Sequence, residues 1–136
     1  MLADATLIAF AAVAESARAI AFYTRVLGLH LRYEDDFAIS LDSDGVELRL
    51  QKVERFTPQP FTTLGWRVTR IDDVVARLVE HGIALERYPR LEQDAAGVWQ
   101  ALSGARVGWF NDPDGNLLAV TEYPATFPRP EVRHIG

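Results

Sequence analysis

The sequence contains no cysteine among its 136 residues. That excludes disulfides, a thiolate nucleophile and every cysteine-ligated zinc or iron–sulfur centre. Its three histidines, His30, His81 and His134, lie far apart, and none has a second histidine or a carboxylate at ligand spacing. His81 falls in the last turn of a predicted helix, where the dipole favours it without any catalytic role. No run of about 18 apolar residues occurs, so no transmembrane helix is expected. The opening MLADATLIAFAAVAE is apolar but lacks a basic flank, and it reads as a strand rather than a signal peptide. Positive charge is scarce as well: 14 Lys and Arg stand against 19 Asp and Glu, for a net charge of −5. Phosphate contacts need a basic face, so nucleic acid is not an expected partner. No Gly-rich phosphate loop and no Ser–His–Asp set stands out. What remains is a cytoplasmic protein whose partner is a small molecule.

What is present suffices for one core: 49% of residues are hydrophobic, on a chain long enough for one domain and too short for two. Residues 6–13 (TLIAFAAV) read as a strand. Glu15 and Ser16 open a helix whose Ala19, Phe22 and Val26 share a face, and Gly28 ends it. Then come LHLRYE, FAISL, the turn DSDG (42–45) and VELRLQ, which alternates with Val46, Leu48 and Leu50 on one side. After a Pro-bearing connector (56–61) the order repeats. TLGWRV (63–68) reads as a strand. Residues 71–81 form a helix with Ile71, Val74, Val75, Leu78 and Val79 on one stripe and Asp72 and Asp73 in its first turn, and Gly82 stops it. The strands IALERY, ARVGWF and LLAVTE follow, the last two joined by NDPDGN. In that turn Pro113 presets φ, Asn111 and Asp112 offer capping side chains, and Gly115 takes a positive φ. The expectation is one domain over residues 1–136: two tandem βαβββ modules, about 5–54 and 62–123, and an extended tail over 124–136.

FYTRVLGL (22–29), the helix end EHG (80–82) and WFNDPDGNLL (109–118) together resemble the vicinal-oxygen-chelate superfamily. This is the family of glyoxalase I, extradiol dioxygenases, fosfomycin-modifying enzymes and bleomycin-binding resistance proteins. The resemblance covers roughly residues 5–123 and implies an α+β fold, two βαβββ modules curling around one cavity, often completed in a homodimer. It also implies a divalent metal held from four positions by His nitrogens or carboxylate oxygens. Those positions match Ile8, Glu47, Thr63 and Ala119 here. One ligand type in four survives. Glu122, three residues past Ala119, falls on the opposite face of its strand and does not replace it.

Glu47 is therefore the tentative catalytic residue and a candidate ligand contact. Its expected partners are cations, Arg49 on the same strand face and Arg67 on the first strand of module two; the same two arginines also suit a bound anion. Arg-lined walls make a large cationic ligand a poor match. Trp66 and Trp109 read as core, whereas Tyr88 and Trp99, at the ends of a long irregular stretch (about 86–104), are candidates for an aromatic lip. Phe10, on the strand of Ile8, completes the ligand-binding set. The acidic run at 34–36 reads as a solvated turn. The leading expectation is a protein that binds a small anionic or aromatic molecule, with no cofactor, as a homodimer. Two alternatives stay open: a metal-dependent lyase, isomerase or dioxygenase with a displaced metal site, and a metal-free acid/base enzyme using Glu47.

Overall fold

The structure, a computed structural model, describes residues 1–125, so most of the expected tail, and His134 with it, lies outside the described residues. Module one contains β1 (Ile8–Val13), α1 (Ser16–Ala21, continued by a π-helical segment Phe22–Val26), β2 (His30–Glu34), β3 (Ala38–Ser43) and β4 (Val46–Lys52). Module two contains β5 (Leu64–Arg67), α2 (Ile71–Glu80), β6 (Trp99–Gln100), β7 (Arg106–Asn111) and β8 (Leu117–Glu122). Each module makes one four-stranded sheet, ordered β1-β4-β3-β2 and β5-β8-β7-β6, with the first strand parallel to its neighbour and the rest antiparallel. The two βαβββ units expected from the sequence are both there.

Period-two alternation decides which side of each sheet is covered. Ala9, Ala11 and Val13 of β1, Ile39 and Leu41 of β3, and Leu48 and Leu50 of β4 face the helices, as do Phe110, Leu118 and Val120 of module two. These residues and the buried stripe of α2 (Ile71, Val75, Leu78) form a single apolar cluster. The helix-bearing sides of both sheets therefore meet in one core, and their opposite faces point outward.

Local chemistry explains the elements. The β3–β4 turn places Asp44 at φ 49° and Gly45 at φ 85°, the left-handed pair that matches the twist of a two-residue hairpin. The acidic run closes as a turn, with Asp35 accepting from the Phe37 and Ala38 amides (2.8 and 2.9 Å). Glu122 does face away from Ala119: its carboxylate accepts from the Ile71 amide (3.0 Å) at the uncapped start of α2. The first helix departs from a plain 3.6 period. From Phe22 onward it widens, with Leu27 N bonding Phe22 O, and both Phe22 and Tyr23 turn into the core.

The strand expected at IALERY does not form. One ladder bond survives, from Glu86 N to Trp109 O (2.7 Å). The Gln93 side chain accepts from Tyr88 N (2.7 Å) and donates to Glu86 O (2.8 Å) and to Gly97 O (2.7 Å), while Ile83 N bonds back to Leu78 O. The strand that pairs with β7 on this side is the two-residue β6.

Candidate functional site

On the outward face of module one, register lines up two rows across all four strands. Phe10, Arg49, Ser40 and Tyr33 form one; Ile8, Glu47, Asp42 and His30 form the other. Glu47 lies where the rows meet. Its Oε2 accepts from Ser40 Oγ (2.6 Å) and, less closely, from Arg49 Nη1 (3.4 Å). Arg49 also donates to the Tyr33 hydroxyl (2.7 Å). The Ser40 hydrogen bond first, and Arg49 next, hold the Glu47 carboxyl below its ordinary range, so it is ionised and already partnered. The expected ion pair with Arg49 is there. Ser40, fully buried and the nearer partner, is not singled out by the sequence; it stands opposite Arg49 in register, beside Glu47.

Arg67 is not brought to this group. Its guanidinium lies over the Tyr123 ring, 4.7 Å from the centroid. The two arginines stand on different sheets and hold different partners, Arg49 the Tyr33 hydroxyl and Arg67 the Tyr123 ring.

On module two the outward row runs Gly65, Ala119, Trp109, and the next runs Arg67, Thr121, Val107, Trp99. Trp109 is thus not core. Its register partner Ala119 faces outward, and it is Gly108 and Phe110 that point to the helices. Trp109 instead joins the two aromatics expected to form a lip. Its ring meets Tyr88 edge-on (centroids 5.4 Å apart, planes at 87°) and leans against Trp99 (6.0 Å, 33°). Tyr88, Trp109 and Trp99 make a continuous aromatic panel. Trp66 does pack against the core, with its indole N–H donated to Ser43 Oγ (2.9 Å). Asn111, expected to cap its turn, donates to the Glu86 carboxylate instead.

The four positions implied as metal ligands do not suit a divalent ion. Ile8 and Ala119 carry no donor atom, and the Thr63 hydroxyl donates to Leu117 O (3.2 Å). Glu47 is already engaged. Among the described residues no three His, Asp or Glu side chains converge as a metal-binding group. Ala119 is 6% exposed and directly opposite Trp109, so a carboxylate there would be buried beside an indole.

The motifs that carried the resemblance serve the join between modules. Tyr23 of FYTRVLGL donates to Asp112 Oδ2 of NDPDGN (2.7 Å). Asp112 also accepts from the Asn116 side chain and from the Asp114 and Asn116 amides, all within 2.8–2.9 Å. Asn116 donates onward to Ala12 O, and Asp114 accepts from Ala14 N.

A model of the Glyoxalase/Bleomycin resistance protein/Dioxygenase superfamily matches residues 6–120. No curated protein matches. Among solved structures, the chain is similar to the antibiotic-binding protein TnmS3 from Streptomyces sp. CB03234, with a TM-score of 0.67 and 21% identity over 91% of this chain and 99% of that one. It is similar to the fosfomycin resistance protein FosX from Listeria monocytogenes, with a TM-score of 0.70 and 12% identity over 90% and 95%. A lactoylglutathione lyase from Agrobacterium tumefaciens aligns with a TM-score of 0.68 and 16% identity over 88% and 93%. At these identities the structures share the fold alone. No helix among the described residues is long and apolar enough to cross a membrane. By fold and by the family match, the chain belongs to the glyoxalase/bleomycin resistance protein/dioxygenase superfamily.

Proposed function

We propose that the protein binds a small aromatic molecule carrying an anionic or acceptor group, without a catalytic metal. The cavity would form where the outward face of one chain's module one meets the outward face of a second chain's module two. The observation that carries this reading is the aromatic panel of Tyr88, Trp109 and Trp99, standing beside Ala119 on the same face. A planar ring stacks there, and Arg49, beside Phe10 on the other half, supplies a fork of donors for an acceptor group.

Two features support a homodimer. Phe10 is 51% exposed and Tyr33 48%, both on an open sheet face that a monomer would leave in water. Among the described residues β1 and β5 are each the end strand of a sheet, an edge that a symmetry mate can meet. TnmS3, of the same fold, is an antibiotic-binding protein, which suits a binding role here. Catalysis by Glu47 as a base is the weaker reading, because a carboxylate held below its ordinary range is a poor proton acceptor near neutrality.

Calorimetric titration with 2-naphthoate tests the proposal, run in EDTA and again with added Zn, Ni, Mn or Fe(II). The expected result is saturable binding by a dimer, unchanged by EDTA and weakened by Trp99→Ala and by Arg49→Ala. Binding that appears only with metal, or that survives both substitutions intact, would overturn it.

A further inference from the structure

Between the modules, at the end of the sheets that carries the β3–β4 hairpin, lies a cleft of about 600 Å³. That volume lies inside the range of small-molecule pockets, roughly 300–1,000 Å³. Its floor is apolar, built from Leu27, Leu29, Val68, Val74, Phe110 and Val120. Trp66 stands in one wall, its ring orientation set by the bond from its indole N–H to Ser43.

The two module joins differ. The first helix meets the β7–β8 connection, a five-residue turn (Asp112–Asn116) whose Asp112 receives the Tyr23 hydroxyl. In the β3–β4 connection only Asp44 and Gly45 lie between the strands, and both line the cleft together with Val74 of α2.

Charge at the rim selects the ligand's polar end. Asp42 is paired with Arg32 (3.3 Å), His30 stands opposite Asp42 in register, and Arg67 lies on the Tyr123 ring. Asp44, exposed at the tip of the hairpin, has no hydrogen bond or ion pair with any described residue. We propose that this cleft is a second ligand site, taking a ring-bearing primary amine: the ring on the apolar floor beside Trp66, the ammonium toward Asp44. It does not depend on the outward-face reading, since Glu47, Arg49, Tyr88, Trp99 and Trp109 do not line the cleft.

The test is a backbone-amide NMR titration of the full chain with three indoles that share a ring and differ in charge: tryptamine, tryptophol and indole-3-propionate. Tryptamine should shift Leu29, Gly45, Val68 and Val74 saturably. Tryptophol should bind those residues about two- to fivefold more weakly, the range of one exposed charge pair, and the acid more weakly still. Asp44→Asn should lower tryptamine to the tryptophol level, and Val74→Phe should abolish the shifts by filling the cleft. Asparagine tolerates a positive φ, so Asp44→Asn keeps the comparison decisive if Val74→Phe fails to fold. Equal binding of amine and acid, shifts confined to Tyr88, Trp99 and Trp109, or no saturable shift at millimolar tryptamine would each overturn the proposal.

Discussion

The Tyr23 hydroxyl and the Asp112 carboxylate, 89 residues apart in the chain, meet at 2.7 Å in the buried join between the modules. Tyr23 is fully buried and Asp112 nearly so, and the bond links the two motifs by which the family is recognised. Tyr23→Phe keeps the ring and removes the donor, leaving a buried carboxylate oxygen one partner short. The expected cost is about 1–3 kcal/mol, read from urea unfolding. A loss below a few tenths would mean that the join does not depend on this bond.

The same pair sets an alkaline limit. Burial first, then the charge and hydrogen bond of Asp112, raises the Tyr23 phenol well above its ordinary value of 10.0. A folded value above the unfolded one means full stability below pH about 10, and a loss that grows as pH rises past it. Stability measured between pH 8 and 11 should fall more steeply in the native protein than in Tyr23→Phe. Parallel curves would assign the alkaline loss to other groups.

For Glu47 the sign is opposite. Its carboxyl is held low, so its contribution is present above the ordinary carboxylate range and lost as pH falls through the folded value. Ser40→Ala removes the principal cause and should move the Glu47 carbon resonance titration upward. Glu47→Gln should leave the domain folded and change 2-naphthoate affinity by less than about tenfold, as expected for a residue partnered within its own sheet.

Gln93 holds the loop that carries Tyr88 through three hydrogen bonds of its side-chain amide. Gln93→Ala should speed hydrogen exchange at Tyr88 and loosen the aromatic panel before it affects α2 or β4. Unchanged exchange at Tyr88 would show that packing alone positions the loop.

Much of the fold was legible in the residues. The alternation of VELRLQ, the stripe of α2 and the span of β8 follow from period and turn chemistry, and the structure keeps each with small shifts at the ends. Three features were not legible, each for a physical reason. In IALERY the Gln93 side chain takes the Tyr88 N–H and the Glu86 carbonyl, and a side-chain bond of that kind leaves no periodic mark. The core expectation for Trp109 rests on strand parity, which does not say which face is covered; its register opposite Ala119 shows that it points outward. The separation of Arg67 from Glu47 depends on how two sheets pack, and strand parity speaks only within one sheet. Strand parity was enough to put Glu47 beside Arg49, but not to show that Ser40 is the nearer partner of Glu47 or that Tyr88 and Trp99 both meet Trp109.

The outward-facing halves have a genetic consequence. In a two-fold pair built as proposed, each cavity takes its Arg49 half from one chain and its Trp99 half from the other. Arg49→Ala and Trp99→Ala homodimers would each carry two damaged cavities. Mixed in one dimer, the two mutant chains would place both lesions in a single cavity and leave the second wholly native. Inactive parents would thus complement each other, and half of the binding capacity would return in every heterodimer.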